Sequence, residues 1–358
     1  MIHFADPTSS HDGSLKNQGE RVMGPANLNR ILMSSAVAVA AAFGVTAPAH
    51  AADALEMSYT QSTLLAFKNG EWAKDVAVDD HGDTAILVTA SGQSRVVKIS
   101  GNGTQTTVPV SGRGSAGSVA IDNDGNIFVT FGSYLSGNAV ASGSVVQITP
   151  EGNSFQIAYG LRNPCDVAAQ GSEIAVLDCG TGNEDSQVVR ASVVGGNTLQ
   201  QISGFIQPRG VAMDRAGNIL VADAKFGGND SSLIKVSSDG TKSDIKFAGL
   251  SPLSVAVDED GNAIVAGATD TATRVIRLRS DGSQSVLPFS GLVFPTGVAA
   301  DKAGSITVSF LLGSGTNSAS RVERLVPTLI TDPTPEPTPN PTPEPTPNPT
   351  PGFGSSGS

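Results

Sequence analysis

Few side chains in this chain offer chemistry beyond solvation, and their placement limits the reactions open to it. His81 is the one histidine after residue 51, in a segment, Asp79-Asp80-His81-Gly82-Asp83, that reads as a tight turn. A mechanism needing imidazole as general acid or base has no other candidate. Cys165 and Cys179 are the two cysteines, too few in 358 residues for a disulfide scaffold. They flank the turn Gln170-Gly171-Ser172-Glu173. Opposed residues of an antiparallel pair have a constant sum of numbers; a turn centred on 171–172 implies 343–344, and 165 and 179 add to 344. The register predicts a disulfide, which requires an oxidising compartment. Two free thiols are the alternative, since a narrow hairpin pair can be strained. Without a histidine nearby, neither thiol is suited to nucleophilic catalysis.

Two carboxylate-rich segments resemble the opening of calcium loops, Asp122-Asn123-Asp124-Gly125-Asn126 and Asp258-Glu259-Asp260-Gly261-Asn262. Such loops need a bidentate carboxylate at their twelfth position. Here that position holds Ser133 or Thr269. Both segments therefore read as hairpin turns, in which Gly and Asn supply the positive φ.

The elements that would position these residues recur. A start of the type Gly210-Val211-Ala212-Met213-Asp214 appears six times, its valine at 76, 119, 167, 211, 255 and 298, at intervals of 43, 48, 44, 44 and 43. A period in this range predicts a propeller or solenoid. Each copy continues through a turn to a second apolar strand such as Ile219-Leu220-Val221, then a variable loop. A third strand follows, such as Arg274-Val275-Ile276-Arg277-Leu278, then an Asp-Gly turn and a fourth strand, such as Ile245–Phe247 or Val286–Phe289. Four antiparallel strands per period make one blade. The first strand is apolar on both faces, as a strand between two neighbouring blades must be. The sixth copy has no fourth strand after Arg321–Leu325, while an orphan strand, Ser58–Phe67, precedes the first copy. The fold class predicted is all-β, a six-bladed β-propeller whose last blade is completed by the N-terminal strand, which leaves no open edge.

The ends of the chain read differently. Residues 1–51 form an N-terminal extension and a signal peptide: Arg30, an apolar run from Ile31 to Val45, and a cleavage site after Ala51. The run is shorter than the roughly 20 residues of a membrane span, so no membrane insertion is expected after cleavage. Residues 52–330 form the propeller. Residues 331–358 are a Pro/Thr-rich spacer, extended and semi-rigid. A net charge of −11, with scattered lysine and arginine, argues against a nucleic-acid partner. The expected localisation is secreted, periplasmic or cell-envelope, and the expected state is a monomer.

The Gly-Val-Ala-x-Asp start, the Asp/Ala-Gly-Asn turn, the Val-Ala-Asp ending at Asp223 and the Arg-Val-x-Lys/Arg third strands resemble the NHL-type six-bladed propeller family, over about residues 58–329. That resemblance implies fold rather than function, because such propellers bind varied partners and some are enzymes. In fold it is related to metal-dependent sugar lactonases, whose metal is held by Glu, Asn and Asp at the channel position of several blades. Carried over, those positions fall on Lys74, Cys165 and Arg209, none a suitable oxygen ligand. Asp75, Asn163 and Asp166 are fallback ligands one or two residues away. Related propeller lyases use histidine, for which only His81 stands here, on the opposite face. No cofactor is expected.

In a blade, the loops joining second to third strands, and fourth strands to the next blade, share one face. On that face the loops vary in length, which marks it as the working face. Trp72, Tyr134, Glu184, Lys225, Phe226 and Phe294 are its candidate contacts. The residues just before each Asp/Gly/Ser-Val-Ala start, Lys74, Gly117, Cys165, Arg209, Leu253 and Thr296, should ring the channel mouth, with Arg113 and Arg162 just upstream. Lys74, Arg209 and Arg162 could hold a carboxylate or phosphate, or instead pair with Asp75 and Asp166. The function read from the sequence is a secreted binding or scaffold module for a protein, peptide or carbohydrate. The alternatives are a channel-mouth lactone hydrolase or lyase, and the sensor portion of an envelope-tethered system.

Overall fold

The computed structural model describes residues 57–330 apart from short segments at 69, 137–138, 181–185, 195–197, 225–230, 248, 270 and 313–318. The leader and the Pro/Thr spacer lie outside the described residues.

Six four-stranded antiparallel sheets make up the fold. From channel to rim, blade 1 is Glu71–Val78, Thr84–Ala90, Gln93–Ile99 and Gln105–Pro109. Blades 2 to 5 repeat this order, with inner strands Ala116–Ile121, Pro164–Gln170, Pro208–Met213 and Ser251–Val257. Blade 6 runs Phe294–Ala300, Ile306–Leu312 and Ala319–Leu329, and its outer strand is Met57–Phe67. The N-terminal strand pairs from Met57↔Leu329 to Phe67↔Ser320. The expected closure is what the structure shows. The six inner strands touch in cyclic order, the last against the first.

The core is divided into six apolar clusters, one at each junction between blades. Ala85, Leu87 and Val96 of blade 1 meet Val119, Ile127, Val129 and Phe131 of blade 2. Ala299 and Val322 of blade 6 meet Val76, Ile86 and Val88 of blade 1. Second strands such as Glu173–Asp178 read as continuous apolar runs because both of their faces are covered.

In five blades an Asp just past the first strand organises the following turn, and blade 3 carries Gln170 in its place. In blade 5 the Asp258 Oδ1 accepts the Asn262 N–H at 2.9 Å, while the Gly261 N–H donates to the Asp258 carbonyl at 3.0 Å. Gly261 has φ +76°, with open space where a side chain would go, so its conformation is what the turn requires. These carboxylates are occupied by backbone amides, as hairpin turns demand. The cations of the third strands reach the same turns: Arg277–Asp258 at 3.0 Å, Lys235–Asp214 at 3.2 Å, Lys98–Asp83 at 3.0 Å, and Arg324–Asp301. In these four blades the third-strand cation thus serves its own blade, whereas blade 2 carries Gln147 at that position and the blade 3 cation Arg190 pairs with Glu173.

Two local features differ from the sequence reading. The stretch between Phe131 and Gly143 contains a small hairpin, Tyr134–Ser136 with Ala139–Ala141, rather than a plain loop. The outer strand of blade 5 is Gln284–Val286, displaced from the expected Val286–Phe289. Pro288 has no N–H to donate, so the ladder ends before it.

Candidate functional site: the channel and its mouth

The inner strand carries a β-bulge in every blade. Register shifts fall between Ala73 and Asp75, Ala116 and Val119, Pro164 and Asp166, Pro208 and Gly210, Pro252 and Ser254, and Pro295 and Gly297. The skipped residues include all six positions expected at the mouth: Lys74, Gly117, Cys165, Arg209, Leu253 and Thr296. A bulge leaves its residue out of the ladder and re-aims the side chain. Proline precedes the bulge in blades 3 to 6, where no ladder donor is needed at a strand's start.

Cys165 is bonded to Cys179, with Cα atoms 5.9 Å apart. The bulge adjusts the expected register, since Pro164 pairs with Asp178 and Asp166 with Leu177, and Cys179 lies just past the second strand. The bond closes a loop of sequence separation 14. An isolated loop of that size would gain about 3 kcal/mol, but the hairpin ladder already constrains it. Cys165→Ser/Cys179→Ser should lower stability by about 1–2 kcal/mol with the fold retained, read by denaturant unfolding.

One residue beyond the bulge, the six strands present Asp75, Ser118, Asp166, Gly210, Ser254 and Gly297 to one another. The Asp75 Oδ2 accepts the Val119 N–H of the next blade at 2.9 Å, and its Oδ1 accepts the Val76 N–H at 2.8 Å. The Asp166 Oδ2 accepts the Val211 N–H at 2.7 Å, and its Oδ1 the Val167 N–H at 2.9 Å. The Ser254 Oγ accepts the Val298 N–H at 3.1 Å. The Ser118 hydroxyl lies 2.6 Å from both the Asp75 Oδ2 and the Asp166 Oδ1. At the two glycines the neighbouring blade fills the space. A Cβ on Gly297 would sit 2.1 Å from the Asp75 Oδ1, and one on Gly210 would sit 3.1 Å from the Ser254 Cα. Burial pushes both carboxyls up. Asp75, beside the charge of Asp166, rises to about 8. Asp166 rises to about 6, where bonds from Ser118, Val211 and Val167 oppose burial.

Below this ring the channel holds a cavity of about 150 Å³, walled by Val, Ala, Ile and Met of the inner strands, by Asp75 and Asp166 of the ring, and by charged residues of the short turns such as Arg215 and Glu259. It runs toward the face of short turns, not the face of variable loops. An ionic strap lies at that end. Arg215 of blade 4 pairs with Asp80 of blade 1 at 2.9 Å and with Glu259 of blade 5. Asp80 and Asn123 exchange two 3.0 Å hydrogen bonds. The Arg215 side chain is 41% exposed, so each pair adds at most about 1 kcal/mol.

The predicted ligand-contacting residues are distributed as follows. Trp72 and Lys74 lie on the blade 1 inner strand, and the Trp72 Nε1 is buried without an acceptor. Arg113 precedes Gly114, whose would-be Cβ stands 3.7 Å from that of Tyr134, so these two loops meet. Phe294 begins the blade 6 inner strand and is 54% exposed. Arg162 and Asn163 donate backbone N–H groups to Asp178. Glu184, Lys225 and Phe226 lie outside the described residues. Lys74 and Arg209 make no ion pair among the described residues; neither pairs with Asp75 or Asp166, because backbone amides and Ser118 occupy those carboxylates. His81 lies in a turn on the opposite face, 3.8 Å from Asp79. Ser118 and Arg215 were not among the expected site residues. The pattern Asp, Ser, Asp, Gly, Ser, Gly at one repeat position was the available signal.

A divalent metal of the lactonase kind does not fit. Two of the carried-over positions are cations and the third is a disulfide cysteine. The fallback residues Asp75 and Asp166 point their oxygens at protein donors. Among the described residues no group of three His, Cys, Asp or Glu side chains converges.

No protein-family model matches the chain, and no curated protein sequence is detectably similar. Solved structures are similar in fold. A gluconolactonase from Xanthomonas campestris aligns with a TM-score of 0.55 at 15% identity, over 76% of this chain and 90% of its own. A putative gluconolactonase aligns at 0.52 and 15% identity, over 74% and 92%. A luciferin-regenerating enzyme aligns at 0.52 and 12%, over 75% and 95%. At these identities the likeness is one of fold, and it lies with gluconolactonase-like propellers. No family match supports the NHL label.

Proposed function

We propose that this protein is a secreted six-bladed propeller that binds an anionic group of a protein, peptide or carbohydrate at the channel mouth on its variable-loop face. The observation that carries the reading is the pair Lys74 and Arg209. Bulges lift both out of their ladders, on blades 1 and 4, which stand opposite in a ring of six. Neither has an ion-pair partner among the described residues, in a chain of net charge −11. Cations left unneutralised at one mouth focus positive potential there. Secretion is supported by the leader-like N-terminus and by the Cys165–Cys179 bond.

A hydrolase or lyase activity has the fold neighbours in its favour. Among the described residues no metal-ligand set converges, and the one histidine after residue 51 is not on the varied face, so binding is the better reading. Arrays of carboxylated or sulfated glycans and of acidic peptides, probed with residues 52–330, test it. Arg209→Glu and Lys74→Glu should each weaken the ligand found by about tenfold or more, since a charge-assisted hydrogen bond is worth about 1.5–3 kcal/mol. Unfolding temperature should stay unchanged. Binding that survives both substitutions, or that ignores salt, would move the site elsewhere.

A further inference from the structure

The Asp75–Ser118–Asp166 contact has an unusual proton count. One serine hydroxyl, which carries one hydrogen, stands 2.6 Å from an oxygen of each of two carboxyls. If both carboxyls were ionised, one of these short O···O contacts would contain no hydrogen. A protonated Asp75 resolves it. Its Oδ2–H donates to the Ser118 Oγ, the Ser118 hydroxyl donates to the Asp166 Oδ1, and one negative charge remains on Asp166. We infer that Asp75, Ser118 and Asp166 share a single proton, and that this proton is the latch holding the first four blades closed around the channel.

The chain of contacts defines the latch. Asp75 joins blade 1 to the Val119 amide and Ser118 of blade 2; Ser118 joins blade 2 to Asp166 of blade 3; Asp166 reaches the Val211 amide of blade 4. Between blades 5 and 6 the same position is closed by the neutral Ser254 hydroxyl on the Val298 amide, which cannot titrate. Loss of the shared proton to solvent base leaves two carboxylates competing for one hydroxyl hydrogen. Repulsion then acts at the seam between blades 1, 2 and 3, next to the bulge residues Lys74 and Cys165.

The surroundings supply little to offset that second charge. The inner strand of blade 6 and the second strands of blades 1, 2 and 6 carry no ionisable side chain. Blade 3 adds Asp178, which is held by the Arg162 and Asn163 amides, and Glu173, which pairs with Arg190. On the third strand of blade 6, Arg324 is taken by Asp301 and Glu323 by Thr63, while Arg321 is exposed. Lys74 adjoins Asp75 in sequence, Arg162 lies four residues before Asp166, and Arg209 stands on the next blade's inner strand; Glu71 shares Asp75's strand and Asp79 directly follows it. Glu71 is held low by its hydrogen bond to Arg95. Asp79 is raised by its burial.

The sign of the pH dependence follows. Unfolded aspartates titrate near 3.9. The upward shifts of Asp75 and Asp166 mean that the folded state keeps a proton between about pH 6 and 8 that the unfolded state has lost. Stability from this site is therefore fully present in acid and falls as pH rises through the folded values, by about tenfold in the folding constant per pH unit for one proton.

Guanidinium unfolding of the full chain between pH 6 and 8 tests the latch, comparing wild type with Asp75→Ser, which copies the ring's own Ser254. The wild-type folding constant should fall about a hundredfold across that range, and the variant's by less than about threefold. A wild type with no slope, or a variant keeping all of it, overturns the inference. Should Asp75→Ser fail to fold, infrared spectroscopy of wild type remains decisive. A protonated-carboxyl carbonyl band at pH 7 that is gone by pH 9 supports the shared proton; its absence at pH 7 sinks it.

Discussion

Removing residues 57–67 should leave a chain that aggregates and shows no cooperative unfolding transition. This segment is the outer strand of blade 6, paired along its whole length with Ala319–Leu329. Tyr59, Leu64, Leu65 and Phe67 pack against the clusters at the two junctions flanking that blade. Cross-blade bonds would go too: the Gln61 side chain both donates to the Ser290 carbonyl and accepts its N–H, at 3.0 and 2.8 Å. The exposed third strand would be an open edge 11 residues long, a template for pairing with other chains. The loss should exceed about 5 kcal/mol, comparable with the whole stability of a typical domain. Size-exclusion chromatography and calorimetry read the outcome. A peptide of residues 57–67 added in trans should restore a monomeric peak. A truncated protein that stays monomeric and melts cooperatively would mean that the ring closes by other means.

Gly297→Ala should be the most damaging single methyl group in the chain's inner ring. The backbone there is not in the left-handed region, so alanine is conformationally acceptable; the obstacle is space. The new Cβ would stand 2.1 Å from the Asp75 Oδ1, 2.8 Å from the Val76 N and 3.0 Å from the Asp75 Cα. Displacing the Asp75 carboxyl would break its bonds to the Val76 and Val119 amides and to Ser118. Overpacking a rigid site costs about 1–3 kcal/mol, and the lost buried hydrogen bonds add to it. A total of about 3 kcal/mol or more would lower the unfolding temperature by about 6–12 °C. Gly210→Ala, whose nearest contacts are at 3.1 Å, should cost less. Combining Gly297→Ala with Asp75→Ser removes the nearest clash but not the backbone contacts. The pair should be sub-additive by about 1 kcal/mol. Full additivity would show that the methyl group is accommodated without touching residue 75.

The two experiments probe different levels of organisation, and the sequence announces them unequally. The orphan strand at 58–67 was legible because it is a fourth strand by pattern and position, and the last repeat lacks one. The disulfide was legible for a similar reason, since hairpin register is arithmetic on residue numbers. The bulge that moved it by one position was not, because a bulge changes the pairing without changing the alternation. The hairpin at 134–141 sits in a stretch where loop and strand composition overlap. At the channel, the six residues ahead of each Val-Ala start were found as a set, but their role as bulges was not.

Period, blade count, turn chemistry and the N-terminal closure follow from local patterns, because strand alternation and glycine-containing turns are encoded within a few residues. The one-hydroxyl contact between Asp75 and Asp166, the glycine seat at 297 and the Arg215 strap belong to the closed ring alone. Their partners are separated by 43 to more than 200 residues. Nothing in a linear pattern states the distance between two such groups. Six rigid blades, each buried against both neighbours, set that distance by bringing their inner strands around one axis.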